Sequence, residues 1–151
     1  MLAAHDAEFI LVGGVAAVLQ GAPISTFDLD VVHSRSTTSL DRLLAALETL
    51  EARYRDPAGR RRAPDKALLA SDGHHLLMTR AGPLDVLGTI GQGSSYEDLL
   101  AHTIPMETDP GVRVRVLDLE TLIETKQAAG RDKDLAVLAV LRRTLEERKK
   151  R

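Results

Sequence analysis

Cysteine and tryptophan are both absent from the 151 residues. The lack of cysteine excludes disulfides, thiolate zinc sites and cysteine nucleophiles, and leaves carboxylate, histidine and hydroxyl chemistry. Aromatic residues make up only 3% of the chain, too few for the base-stacking platforms of single-strand binders. No apolar run approaches the roughly 20 residues of a membrane helix. The stretch from Met1 to Ile10, interrupted by His5, Asp6 and Glu8, has no basic-then-apolar signal pattern. A cytoplasmic protein with no membrane partner is the expectation. A large excess of charge is also missing, since the formal net charge is -2. That argues against nucleic-acid coating by bulk charge, while a local basic face can still engage RNA.

What is present has globular proportions, with 44% hydrophobic and 28% charged residues. A chain of this length is enough for one core, so one domain over residues 1–151 is expected, with a short helical C-terminal part over about 118–151. No internal repeat is visible.

Phe9-Ile10-Leu11-Val12 reads as a buried strand stopped by Gly13-Gly14, with a short helix over Val15 to Gln20. Phe27 to Val32 alternates, placing Phe27, Leu29 and Val31 on one face and Asp28 and Asp30 on the other. From Ser39, a candidate N-cap, Leu40, Leu43, Leu44, Leu47 and Leu50 fall on one helical face to about Tyr54. Arg55 to Asp72 reads as an irregular excursion carrying Arg60-Arg61-Arg62. Two strands around Ala81-Gly82-Pro83 form a hairpin whose second strand bears Asp85. The glycines at 88, 91 and 93 mark a loop, and a poorly patterned stretch follows. Val112, Val114 and Val116 then alternate with Arg113 and Arg115 in a strand with a basic outer face. Asp118 opens a helix that Gly130 closes, and a last helix follows Arg131-Asp132-Lys133-Asp134. The expected fold is α/β (α+β), a small, mixed, mostly antiparallel twisted sheet with flanking helices packed mainly on one side.

Two carboxylates at i and i+2 of a strand share a face, with Cα atoms roughly 6.5 Å apart, and so placed they can ligate a pair of metal ions. Their hard oxygens suit magnesium or manganese. Taken alone, Asp-x-Asp is most often a solvated sheet face, and Gly-Gly a tight turn. Acids beside an apolar strand are costly without a cation, which favours the metal reading. His74 and His75 are adjacent on a strand and point to opposite faces, so they cannot easily share an ion, and at least one reads as structural. The basic residues Arg53, Arg55, Arg60, Arg61, Arg62 and Lys66 are either a solvated loop or a grip on RNA phosphates. The terminal Arg-Lys-Lys-Arg complements a helix dipole.

Leu11-Val12-Gly13-Gly14 followed by Thr26-Phe27-Asp28-Leu29-Asp30-Val31-Val32 resembles the glycine and Asp-x-Asp signature of polymerase-β-like nucleotidyltransferases. Asp85 fits the third acid of that pattern. The segment from Leu119 to Leu135, with Lys126 and Lys133-Asp134-Leu135, is similar to the AbiEii-type, type IV toxin branch. Ile24 stands where that branch often has arginine, and Val137 where an acid is common.

The resemblance implies a minimal nucleotidyltransferase fold in which Asp28, Asp30 and Asp85 are catalytic and hold Mg2+ or Mn2+. Gly13, Gly14, Thr26, Lys126 and Lys133 would contact the nucleoside triphosphate. The acceptor would be a hydroxyl of RNA, tRNA especially, or of protein, in a toxin of a toxin-antitoxin system with an antitoxin partner. A small-molecule acceptor of the aminoglycoside type, or a degenerate domain that only binds nucleotide or a partner, are the competing expectations.

Overall fold

The computed structural model describes residues 2–26 and 28–150. After a 3-10 turn at Ala3–His5, the apolar run Phe9–Val12 forms β1 and passes directly into α1, Gly13–Leu19. The helix begins at the glycine pair and not at Val15, because Gly13 itself makes the strand-to-helix turn at φ +66, a conformation that glycine adopts without penalty. β2 covers Leu29–His33. It starts later than the alternation implies: Asp28 lies in the connection ahead of it, and Phe27 is outside the described residues.

α2, Thr37–Thr49, is capped by Ser36, whose hydroxyl accepts from the Ser39 amide at 3.3 Å. Ser39, the cap expected from sequence, is instead buried in the first turn and accepts from the Glu8 amide at 3.1 Å. The helix ends well before Tyr54. Glu51 turns left-handed at φ +55, and the Glu51 and Ala52 amides fold back onto the Glu48 and Leu47 carbonyls, a Schellman-type end. This frees Arg53–Tyr54 to form β3. Within the excursion lies one turn of helix, α3 (Lys66–Leu69), capped by Asp65.

β4, His74–Thr79, and β5, Gly82–Leu87, make the expected hairpin, with Arg80-Ala81 at its tip. β6 (Thr89–Ile90) and β7 (Ser94–Ser95) pair as a small ribbon inside the glycine-rich loop. The unpatterned stretch resolves into α4, Tyr96–Leu99, a 3-10 turn at Leu100–His102, and β8, Thr103–Asp109. β9, Val112–Leu117, has Val112 and Val114 half-buried, Val116 buried and both arginines exposed, as its alternation implies. α5, Leu119–Ala129, is capped by Asp118 and closed by Gly130 at φ +62; α6 covers Asp132–Lys149. Arg148 and Lys149 occupy its last turn, favourable to the dipole, and Arg151 is outside the described residues.

Seven strands form one mixed sheet in the order β3-β4-β5-β2-β1-β9-β8. β1/β9 and β2/β5 are parallel, and the other pairs antiparallel. The central strands are buried on both faces, as Ile10, Val31, Val32 and Val86 show. Helices cover both faces of the sheet, which corrects the expectation of one covered side. On the Val31 face, the His33 ring nitrogens meet the Leu69 carbonyl at 2.7 Å and the Leu87 carbonyl at 3.1 Å, tying β2 to α3 and β5. On the opposite face Leu122 of α5 stands over Asp30. The chain's first and last helices are also joined. Gln20, just after α1, donates to the Leu117 carbonyl at 2.8 Å and accepts from Arg148 at the end of α6 at 3.0 Å. Among the described residues no helix is long and apolar enough to cross a membrane.

Candidate active site

Asp30 sits opposite Asp85 across the parallel β2/β5 ladder and opposite Val12 across β1/β2. Directly opposed positions lie on one face, with strands roughly 4.8 Å apart. The two carboxylates therefore converge although they are distant in sequence.

Gly13 follows Val12, and the absence of its side chain is what admits Asp30. A Cβ there would lie 2.2 Å from Asp30 Oδ2. Gly14 does the same for Thr26, since a Cβ would lie 2.7 Å from Thr26 Oγ1. The glycine pair is thus more than a turn, because each member is pressed against a different candidate residue. Thr26 in turn donates to the Asp28 carbonyl at 3.3 Å, which shapes the connection that carries Asp28.

Among the described residues, Asp30 Oδ1 is buried and has no hydrogen-bond partner, an expensive condition for a carboxylate oxygen. Burial foremost, then the adjoining Asp85 carboxyl and the charges of Asp85 and Asp28, push the Asp30 pKa up to about 7, with Lys126 pulling the other way. Asp85 is engaged differently, its Oδ1 accepting from Arg55. Among the described residues no three histidine, aspartate or glutamate side chains form a ready metal cage. What does suit a hard divalent cation is the unpartnered buried oxygen of Asp30, with Asp85 across the ladder and Asp28 close enough for its charge to act on it.

Two lobes of a cleft meet at Gly13, Asp30, Lys126 and Asp134. One, about 200 Å³, includes Gly14, Thr26, Asp28 and Lys133 in its lining. The other, about 230 Å³, runs along Leu87, Ile90, Leu122 and Ala129, with His74 and Thr89 at its polar side. Seven of the eight candidate residues read from the sequence (Asp28, Asp30, Gly13, Gly14, Thr26, Lys126, Lys133) line this cleft. Asp85 adjoins it through Asp30. Of the two histidines, His75 is buried, with Nδ1 2.9 Å from the Tyr54 hydroxyl, and is structural. His74 points to the cleft, its Nε2 2.9 Å from the Thr89 carbonyl.

Asp134 is fully buried and does not cap α6. It accepts from Lys126 Nζ at 3.1 Å and from Arg131 Nε at 2.6 Å. Burial opposes its ionisation, but the bonds from Arg131 and Lys126 prevail and hold its pKa below the usual value. It thereby fixes the Lys126 ammonium at the junction of the lobes. Asp134→Asn is expected to cost about 1–3 kcal/mol, the range for breaking a buried charged pair, reduced because Lys126 and Arg131 keep contact with water. Because the folded pKa is depressed, this stabilisation is present above the unfolded pKa and is lost as pH falls through the folded one. The gap in Tm between the variant and wild type, followed by thermal melts, should therefore close on acidification.

No protein-family model matches this sequence, and no curated protein matches it. Among solved structures, the fold is similar to a crystal structure from Thermotoga maritima described as "a putative nucleotidyltransferase". The TM-score is 0.50 and the identity 17%, over 93% of this chain and 83% of that one. The chain has a nucleotidyltransferase-like fold. At that identity the likeness is one of fold, and the AbiEii-type branch is a finer assignment than it carries. In this nucleotidyltransferase-like frame the acidic pair stands at the entrance to and start of β2, and the third acid on the neighbouring parallel strand.

Two features of the site escape a reading of the sequence. Arg55 reads as one member of a basic loop, and nothing near it in sequence signals its bond to Asp85. Asp134 reads equally well as a helix cap, and only the burial of its side chain reveals the clamp on Lys126.

Proposed function

We propose that the chain is a metal-dependent nucleotidyltransferase that moves a nucleoside monophosphate from a nucleoside triphosphate to a hydroxyl acceptor. The observation that carries this reading is the unpartnered, buried Oδ1 of Asp30, a carboxylate whose other oxygen, Oδ2, lies against the bare Cα of Gly13 and which has Asp85 opposite. A carboxylate kept so has a purpose if it binds a cation. Magnesium or manganese, held by Asp28, Asp30 and Asp85, would neutralise charge on the triphosphate and on the departing pyrophosphate.

The chain's own residues supply the rest. Lys126 and Lys133 face the triphosphate with positive charge, and Asp134 keeps Lys126 from swinging away. Gly13 and Gly14 line the cleft beside Asp30 and Thr26, where their amide groups would meet phosphate oxygens, and Thr26 orders the segment bearing Asp28. In the transfer, the acceptor oxygen bonds to the α-phosphorus as the bond to the pyrophosphate oxygen breaks. On this reading Asp85, one strand nearer than Asp30 to the β3 edge of the sheet, would take the acceptor's proton.

RNA is the acceptor favoured here, because the arginine-rich segment 53–62 adjoins Asp85 through Arg55. A toxin held by an antitoxin protein is the cellular setting that the sequence resemblance implies. The test is purified protein incubated with labelled nucleoside triphosphates, magnesium or manganese, and total RNA. An RNA acceptor should become labelled, and Asp28→Ala, Asp30→Ala and Asp85→Ala should each remove the label. Labelling that persists in all three variants would sink the assignment of the site.

A further inference from the structure

Asp28, Asp30 and Asp85 put three carboxylates at one end of the sheet, and the nucleotide-free protein must tolerate them without a metal ion. Lys126 is paired with Asp134, and among the described residues the cation in direct contact with the cluster is Arg55. Its backbone is fixed, because the Arg55 amide donates to the Leu76 carbonyl at 2.9 Å and Leu76 is the cross-strand neighbour of Asp85. From there only the side chain has to reach over.

Three neighbouring arginines of the segment have other attachments. Arg53 bonds the Ala52 carbonyl at 2.7 Å, Arg60 bonds Asp56 at 2.6 Å, and Arg62 lies 5.9 Å over the Tyr54 ring. The loop is closed on itself by the Tyr54 amide on the Arg62 carbonyl at 2.8 Å. Its architecture thus delivers one guanidinium to Asp85. That side chain is 29% exposed, so it can be released into water by rotation alone, with no opening of the fold.

We propose that Arg55 is the resident counter-cation of the carboxylate cluster, and that a divalent metal loads the site by displacing its guanidinium from Asp85. The inference rests on the reading of Asp85 as a metal ligand. A guanidinium and a divalent ion on the same carboxylate oxygen repel each other and share its lone pairs, so metal at Asp85 Oδ1 weakens the hold of Arg55. Metal concentration sets the outcome of this competition at Asp85. Arg55 therefore raises the metal concentration at which the site fills and protects the cluster while it is empty.

The test is Mn2+ binding without nucleotide, followed by loss of the free-ion electron paramagnetic resonance signal. Arg55→Ala is expected to bind Mn2+ about tenfold more tightly than wild type, the scale of one lost charge-assisted hydrogen bond. Arg55→Lys should fall between the two. In an Asp85→Asn background, Arg55→Ala should no longer change the affinity. In thermal melts Arg55→Ala should lower Tm in metal-free protein and leave it unchanged at saturating Mn2+, whereas a merely structural arginine would lower both equally. Unchanged or weaker Mn2+ binding by Arg55→Ala overturns this proposal while leaving the nucleotidyltransferase reading intact. If neither wild type nor Arg55→Ala takes up Mn2+, both fall.

Discussion

Asp30→Asn is expected to melt at a higher temperature than wild type in metal-free buffer above pH 7, and to lose nucleotidyl transfer by at least about a hundredfold. The two effects have one cause. A carboxylate whose pKa stands near 7 resists ionisation in the fold while it ionises freely, near the ordinary 3.8, in the unfolded chain. The folded pKa is raised, so the contribution of Asp30 to stability is fully present below the unfolded pKa and is lost as pH rises through the folded one. Between pH 4 and 7 the wild type should lose stability relative to Asp30→Asn, with the gap constant above that window. Allowing for solvent screening of a site that opens on a cleft, the gap at pH 8 should be on the order of 1–2 kcal/mol. For a chain of this size that is roughly 2–6 °C in Tm. Parallel melts from pH 4 to 8 decide it, and a variant less stable than wild type at pH 8 would show that the orphaned oxygen is not a burden.

Gly13→Ala should be strongly damaging for a single added methyl. Two costs add: the left-handed backbone at φ +66, about 1–2 kcal/mol for a residue with a Cβ, and the collision of that Cβ with Asp30 Oδ2. Overpacking of this kind typically costs a further ~1–3 kcal/mol. Either Asp30 is driven out of place or the strand-to-helix turn is, so transfer activity should fall along with stability. The two costs separate in a double-mutant cycle. In an Asp30→Ala background the offending oxygen is gone, and Gly13→Ala should cost only the backbone part. Equal losses of stability in both backgrounds, measured by denaturant unfolding, would show that the contact with Asp30 is not what forbids a side chain at position 13.

Much of this frame was legible in the sequence where local physics decides local structure. The apolar run before Gly13-Gly14, the hairpin bearing Asp85, and the Asp118 and Gly130 helix limits are set by residues within a few positions of each other. β8 was not legible, because it is a half-exposed edge strand containing Pro105 and a register shift between Glu107 and Asp109 that spoils any alternation. The end of α2 was missed because its stop signal is a glutamate, Glu51, in a conformation usually taken by glycine.

At the site, spacing placed Asp28 on the Asp30 strand, whereas it precedes β2 and contributes from a connection. The meeting of Asp30 with Asp85 depends on a parallel pairing between strands far apart in sequence. Strand pattern alone does not specify that neighbour, and the family resemblance supplied the expectation. Arg55 and Asp134 matter through tertiary partners, respectively Asp85 and Lys126, that no window of sequence contains.

The final helix connects two remote places. α6 is a stiff rod about 27 Å long at 1.5 Å per residue, with Asp134 and its hold on Lys126 near one end and Arg148, latched to the Gln20 carbonyl, near the other. Leu138, Leu141 and Thr144 are buried between these ends, so the helix is seated along its whole length, and one element ties the clamp on Lys126 to the turn that follows α1.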